Sequence, residues 1–395
     1  MTSQPRIYAD HAASSPLRPE AAEAMREAES ALNPAGQYRT GRDSRRMLEE
    51  AREQIAELLG ADPVEVIFTA SGTEADNIAV QGLAFGSRKL HPTACDIIAP
   101  GIEHPAVGES IDWLCTGPLD LGYRRIELPV DAHGVVDLEL AEESGVLKNA
   151  GPENTALITC MWANNETGNI QPVGELAKIA ADKAVPMHVD AVQAVGRVPI
   201  DFHGLGIATL AASAHKFGGP RSTGLLFARR DAKILSPLKG GNQERGLRSG
   251  TVNVHGAVGT AAALAAAHRG MAAENERLRN IRERVLEAVR GIEGVEVWTH
   301  EPSLPSHLHV SIPGAEGDSL IMLLDAAGVD ASTGSACAAG VNRASHVLAA
   351  MGVDVEVARG ALRLTFGAET TLADAERIAE LLPRVAEQAR AAGMA

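Results

Sequence analysis

The sequence predicts an α/β protein, with a mostly parallel sheet covered by helices on both faces and a smaller α+β domain after it. Three observations predict this. Between residues 64 and 228, short apolar runs alternate with segments whose apolar residues recur at helical spacing. The short runs are apolar nearly throughout, as strands buried on both faces are. After a glycine- and arginine-rich stretch at 240–251, the pattern changes to long helices with a few strands between them. Strands that alternate with helices make a parallel sheet, because each crossover helix returns the chain to the same end.

Taken in order, helices are predicted over 20–31 and 44–59, each with a charged face opposite an apolar one. Strand 64–69 then leads into helix 74–84, strand 96–99 into helix 106–114, and strand 123–128 into helix 138–148. Strand 155–161 leads into helix 173–183, and strands 186–189, 207–211 and 224–228 follow. Beyond the loop come an alanine-rich helix at 258–267 and a charged one at 272–289, with acid and base at helical spacing. Strands 295–299, 307–312 and 361–366 and helices 319–327 and 372–392 complete the chain. This gives a large domain at 16–257, with residues 1–15 and 258–395 forming the small one.

Composition narrows the class. Of 395 residues, 45% are hydrophobic and 22% charged, which is ordinary for a globular enzyme. A net charge of −15 argues against a nucleic-acid surface. No apolar run approaches the roughly 20 residues needed to cross a bilayer, and the first residues lack a signal-peptide pattern. A cytoplasmic location is therefore expected. Cys95, Cys115, Cys160 and Cys337 are widely separated and form neither a disulfide framework nor a zinc motif.

Ligands of a parallel sheet bind at the carboxyl ends of its strands, so the residues just past each strand are the candidates. Ser71, Gly72 and Thr73 open a helix, where backbone N–H groups can meet an anion. His104 follows the second strand, Asn164 and Asn165 follow 155–161, and Asp190 with Gln193 follows 186–189. Ser213, His215 and Lys216 follow 207–211. Seven lysines stand against 29 arginines, and Lys216 sits where a buried strand runs out. There desolvation lowers an amine's pKa toward the nucleophilic range. Together these residues offer an anion cradle, an amine, a ring-stacking group and a carboxylate, the parts that pyridoxal phosphate needs. A metal site from His104, His188, Asp190 and His215 is the rival, but it leaves Lys216 and the Ser71–Thr73 turn without roles.

The motifs Tyr8-Ala9-Asp10-His11-Ala12-Ala13, Ser71-Gly72-Thr73-Glu74-Ala75-Asp76-Asn77, Asn164-Asn165-Glu166-Thr167-Gly168 and His188-Val189-Asp190-Ala191-Val192-Gln193 carry a resemblance. So do Ser213-Ala214-His215-Lys216, Arg248-Ser249-Gly250-Thr251 and Ser332-Thr333-Gly334-Ser335-Ala336-Cys337. In this order they resemble the cysteine desulfurases, class-V aminotransferases of the aspartate-aminotransferase-like fold. The resemblance implies that Lys216 holds pyridoxal phosphate covalently and moves the substrate's Cα proton. It implies that Asp190 pairs with the pyridine nitrogen, Gln193 with the phenolic oxygen, and that His104 stacks on the ring. Gly72, Thr73, Ser213 and His215 would hold the phosphate, with Thr251 supplied by the other subunit of a homodimer. Asn165 and Arg363 would hold the carboxylate of L-cysteine, and Cys337 would take its sulfur as a persulfide. No intrinsic metal is implied; Cys337 alone would share an iron–sulfur cluster, transiently, with a scaffold.

The stretch from Cys337 to Ser345-His346-Val347-Leu348 resembles the long-loop branch, which hands sulfur to protein acceptors such as an iron–sulfur scaffold. Its run of small residues has little to pack, which suits a thiol that visits the cofactor. Tyr38 stands where the family often has histidine. The alternatives are a selenocysteine lyase, a cysteine β-lyase that needs no Cys337, a non-catalytic sulfur-pathway scaffold and a metal-dependent hydrolase.

Overall fold

A computed structural model describes residues 5–334 and 345–393. Its strands are β1 (Ile7–Tyr8), β2 (Val66–Thr69), β3 (Asp96–Pro100), β4 (Arg124–Leu128), β5 (Thr155–Thr159) and β6 (Met187–Asp190). They continue with β7 (Thr209–Ser213), β8 (Gly224–Ala228), β9 (Glu296–Val297), β10 (His307–Ser311), β11 (Val329–Asp330) and β12 (Ala361–Thr365). Seven form one sheet in the order β2-β8-β7-β6-β5-β3-β4. From β7 to β4 every pair is parallel. Strand β8 alone runs antiparallel to its neighbours, β7 and β2. Strand β2 therefore points the same way as β7, and the carboxyl ends of β2, β7, β6, β5 and β3 share one edge.

All residues of β2, β3, β5, β6, β7 and β8 are buried, while the edge strand β4 is mostly half-buried or exposed. Burial on both faces is what the unbroken apolar runs require. A second sheet, β12-β10-β9, is antiparallel and packs on the helices Gly317–Ala326 and Leu372–Gly393. Strand β1 pairs in parallel with β11, so the amino terminus belongs to this second body. A bridge from Asp10 to Thr365 then leads the chain toward the large sheet.

Two helices expected at 258–267 and 272–289 are one, Val254–Arg290. Gly270 falls between them, but a glycine costs a helix only about 1 kcal/mol, and packing at both ends outweighs it. The first half buries Val254, Ala257, Ala261 and Leu264 in the core of the large sheet; the second buries Leu278, Ile281, Val285 and Val289 in the other core. The division into a large domain at 16–257 and a small one at 1–15 and 258–395 thus remains a proposal, with its boundary inside this helix. Other differences are local. The helix Arg39–Leu59 starts five residues before the periodicity does, because its first turn, Arg39 to Asp43, is polar. The helix expected over 138–148 ends at Glu143, just before Gly145 at φ +86°. Residues Pro63–Glu65 form a 3₁₀ turn boxed by Asp62 and Glu65, so β2 begins at Val66.

The turn after β5 is held from within. Asn164 accepts the amides of Glu166 and Thr167 through Oδ1, at 2.8 and 3.0 Å, and donates from Nδ2 to Ile102 O at 3.1 Å. Gly168 closes it at φ +77°, where a Cβ would lie 2.5 Å from that of His307. Both the positive φ and the contact exclude a side chain. Gly168→Ala should therefore lower stability by about 2 kcal/mol or more, read as a lower denaturation midpoint at unchanged slope. A variant as stable as the parent would disprove this account of the turn.

Candidate active site

A cavity of about 250 Å³ opens at the shared carboxyl edge. Ser71, Gly72 and Thr73 line it from the end of β2, His104 from β3, Asn165 from β5, Asp190 and Gln193 from β6, and Ser213, His215 and Lys216 from β7. Nine expected cofactor residues therefore meet in one place: Gly72, Thr73, His104, Asn165, Asp190, Gln193, Ser213, His215 and Lys216. Larger surface grooves lie elsewhere, one of about 660 Å³ among Met47, Ala51, Val258 and neighbours, but their walls bring together no such set of nucleophile, carboxylate and amides.

The helix Gly72–Leu90 points its amino terminus at the cavity, and the amides of its first turn have no intrahelical acceptor. Ser71 Oγ caps it by accepting from Glu74 N at 3.1 Å. A Cβ on Gly72 would lie 2.8 Å from Val192 Cγ2 and 3.2 Å from Ser213 Cβ, so glycine lets the helix start hard against the sheet edge. Glu74 would repel an anion here, but Arg248 pairs with it at 2.7 Å.

Burial pushes the Lys216 amine down to about 8; Arg363 and Arg197 add to the effect, and Asp190 and Asp10 oppose it. Lys216 Nζ donates to Ala12 O at 2.6 Å and Ala13 O at 3.1 Å, carbonyls of the segment that β1 delivers. Burial raises Asp190 to about 6, against the backbone N–H of Val192 at 2.8 Å and the charge of Lys216. His104 and His215 are each pushed down to about 4 by burial and by Lys216, so both rings are neutral at pH 7. His104 accepts from Ala106 N at 3.1 Å, which fixes its ring.

Arg363 does not line the cavity but stands behind Asn165, whose carbonyl accepts from Nη1 at 2.8 Å. Its Nη2 pairs with Asp10 at 2.7 Å, and its Nε is buried without a partner. Thr251 is exposed and outside the cavity. Cys337 lies outside the described residues. Tyr38 is exposed and precedes the first turn of helix Arg39–Leu59, away from the cavity.

Other residues of the site were not anticipated. Asp76 reaches the cavity from the second turn of its helix and accepts from, or donates to, His188 Nε2 at 3.1 Å. His188 Nδ1 meets Thr209 Oγ1 at 2.9 Å, so both ring nitrogens are used and no metal-ligating face is left. The signal was a carboxylate in a helix position where the apolar periodicity calls for a core residue. Arg197 and the carbonyls of Ala12 and Ala13 had no signal, since they arrive from other parts of the chain.

These groups fit pyridoxal phosphate. Among the described residues Asn165 Oδ1 is buried without a partner and Asp190 makes no ion pair; the amides of Gly72 and Thr73 can receive an anion, and the Lys216 amine is pushed down to about 8. Residues 7–378 match the family model of aminotransferase class-V. An IscS-like cysteine desulfurase of Mycobacterium tuberculosis is 44% identical over 393 residues, 98% of either chain. A NifS-like protein of known structure superposes with a TM-score of 0.87 at 32% identity, covering 97% of this chain and all of that one. The structure described as SspA in complex with cysteine gives 0.77 at 28% identity, covering 91% of this chain and 98% of the other. The chain belongs to the class-V aminotransferases, which use pyridoxal phosphate, and within them to the cysteine desulfurases.

Proposed function

We propose that this cavity converts L-cysteine to L-alanine and that the sulfur leaves as a persulfide on Cys337. The observation that carries the reading is the reactive amine of Lys216 facing the buried Asp190 across a cavity whose far wall is backed by Arg363. When bound, pyridoxal phosphate supplies an electron sink for bonds broken at the substrate's carbon atoms. The amides of Gly72 and Thr73 with Ser213 and His215 hold its phosphate. Asp190 keeps a proton on its pyridine nitrogen, His104 covers its ring, and Gln193 donates to its phenolic oxygen. Asn165, with Arg363 behind it and the Arg363 Nε free of partners among the described residues, would take the substrate carboxylate, an ion for which a planar guanidinium is suited.

Lys216, once released, takes the proton from Cα and later returns one. The Cys337 thiolate attacks the substrate sulfur. An S–S bond forms, the Cβ–S bond breaks with its electron pair left on carbon, and protonation there gives the methyl group of alanine. Only a second thiol can take sulfur this way, which separates this reading from a β-lyase. A homodimer that brings Thr251 to the phosphate, and a protein acceptor such as an iron–sulfur scaffold, complete the proposal.

Two outcomes are expected. In the cofactor-free protein, capture of pyridoxal phosphate, followed by its visible absorption, should speed up as pH rises through about 8, because only the unprotonated Lys216 attacks. Arg363→Gln removes a charge that lowers this pKa and should move the midpoint upward; an unmoved or lowered midpoint would contradict the assignment. Cys337→Ala should keep the bound-cofactor spectrum and lose sulfide release by at least about 100-fold. Full turnover in that variant would make the enzyme a lyase.

A further inference from the structure

We propose that Arg197 is a positioning residue that fixes the orientation of the Gln193 amide, so that its NH₂ end and not its carbonyl end faces the cofactor. The proposal rests on the reading that Gln193 donates to the phenolic oxygen of pyridoxal phosphate. An amide side chain turned by half a circle keeps its shape and exchanges a donor for an acceptor. Something must choose between the two, because a carbonyl turned toward an ionised oxygen repels it.

Arg197 makes that choice. Its Nη1 donates to Gln193 Oε1 at 2.7 Å, and the reversed amide would set NH₂ against guanidinium, donor against donor. The other end agrees, since Gln193 Nε2 donates to Ala12 O at 3.0 Å. That nitrogen carries a second hydrogen, and Gln193 lines the cavity. The same guanidinium reaches Lys216, with Nη2 donating to its carbonyl at 3.0 Å beside Ser15 Oγ, also at 3.0 Å. One cation thus ties the amide to the main chain of the residue that carries the amine.

Arg197 is half-buried and has no carboxylate in contact. Among the described residues it makes no ion pair within 4.0 Å, and Glu274, the nearest acid to act on it, is paired with Arg18 at 3.5 Å. Partial desolvation of a cation without a carboxylate carries a cost. Its direct side-chain contacts are neutral acceptors, Gln193 and the Lys216 carbonyl.

The test uses the cofactor-loaded protein and reads the pH midpoint of its visible absorption band, not its turnover. Gln193→Leu removes the donor to the ionised oxygen and should raise the midpoint by about one unit. Arg197→Met should raise it at least as far, because the charge it removes also acts on Lys216 directly, but in the Gln193→Leu background it should add clearly less than it does alone. Arg197→Lys, whose ammonium can still donate to Oε1, should stay near the parent. A Met variant that leaves the midpoint in place, or a double variant in which the shifts add, would overturn the role of Arg197 and leave that of Gln193 standing. If Gln193→Leu itself shifts nothing, the reading of Gln193 fails and this proposal with it. Should the Met variant not fold, the Lys variant decides: a shift as large as that of Gln193→Leu overturns the proposal.

Discussion

The site depends on holding one primary amine largely out of water at the end of a strand, with its pKa pushed down to about 8. Water stabilises an ammonium strongly, so taking Lys216 out of water already lowers its pKa. Two guanidinium groups, Arg363 and Arg197, push further in that direction, and two carboxylates, Asp190 and Asp10, limit the shift. Most of these groups have a second duty. Asp10 pairs with Arg363, Arg197 with Gln193 and the Lys216 carbonyl, and Asp190 faces the cavity. The balance therefore couples the amine to the groups proposed to grip substrate and cofactor. It also explains why residues from β1, β6, β7 and β12 must meet within a few ångströms.

Beneath the cavity a second layer handles the cost of several buried acids. Burial raises Glu103 to about 8, with Asp190 adding repulsion, and Thr159 Oγ1 donates to its Oε1 at 3.1 Å. Asp76 is likewise pushed well up, first by burial and then by Asp190 and Glu103. His188, pushed down to about 3 by burial, stays neutral beside it. Of the three neighbouring carboxyls, Glu103 and Asp76 are thus both pushed toward the protonated form. Asp190 has a backbone donor in Val192 and the charge of Lys216 acting on it, and it is the one placed to ionise against a cation. Burial thus disfavours negative charge on the surrounding acids and leaves Asp190 as the carboxylate that faces the cavity.

Much of this was legible in the sequence because a parallel sheet places its ligands at one edge. The strand ends supplied Thr73, His104, Asn165, Asp190, Gln193, Ser213, His215 and Lys216, each within a few residues of an apolar run, and those residues line one cavity. What was not legible came by long-range pairing. Ala12 and Ala13 reach Lys216 only because β1, two residues long, joins β11 over three hundred positions away. No local pattern marks so short a strand. Arg197 looked like one of 29 arginines, since its sequence neighbours do not reveal its contacts with Gln193 and Lys216. The helix Val254–Arg290 was divided in two because its surface changes from alanine-rich to charged where it passes from one core to the other. A change of neighbours was read as a break in the chain.

The four cysteines show why the sulfur acceptor should stand apart from the cavity walls. Cys160, the thiol nearest the cavity on β5's continuation, is fully buried, and burial with Glu103 close by pushes its pKa well above the usual value. It cannot form the thiolate that attack on sulfur requires. Cys115 is also raised, by burial and by Asp112, and packs with Cys95 at the edge of a separate apolar cluster. A thiol fixed in a wall would in any case keep the sulfur it took, since nothing outside could reach it. Cys337 belongs to a stretch whose two flanks converge on one residue. Gly334, at φ +90°, packs against Glu166, and Ser345 Oγ donates to the same carboxyl. Glu166 follows Asn165 in the turn that lines the cavity, so the stretch carrying the thiol begins and ends beside the proposed substrate-carboxylate site. This arrangement suits a group that must meet the substrate's sulfur and then present it to a partner.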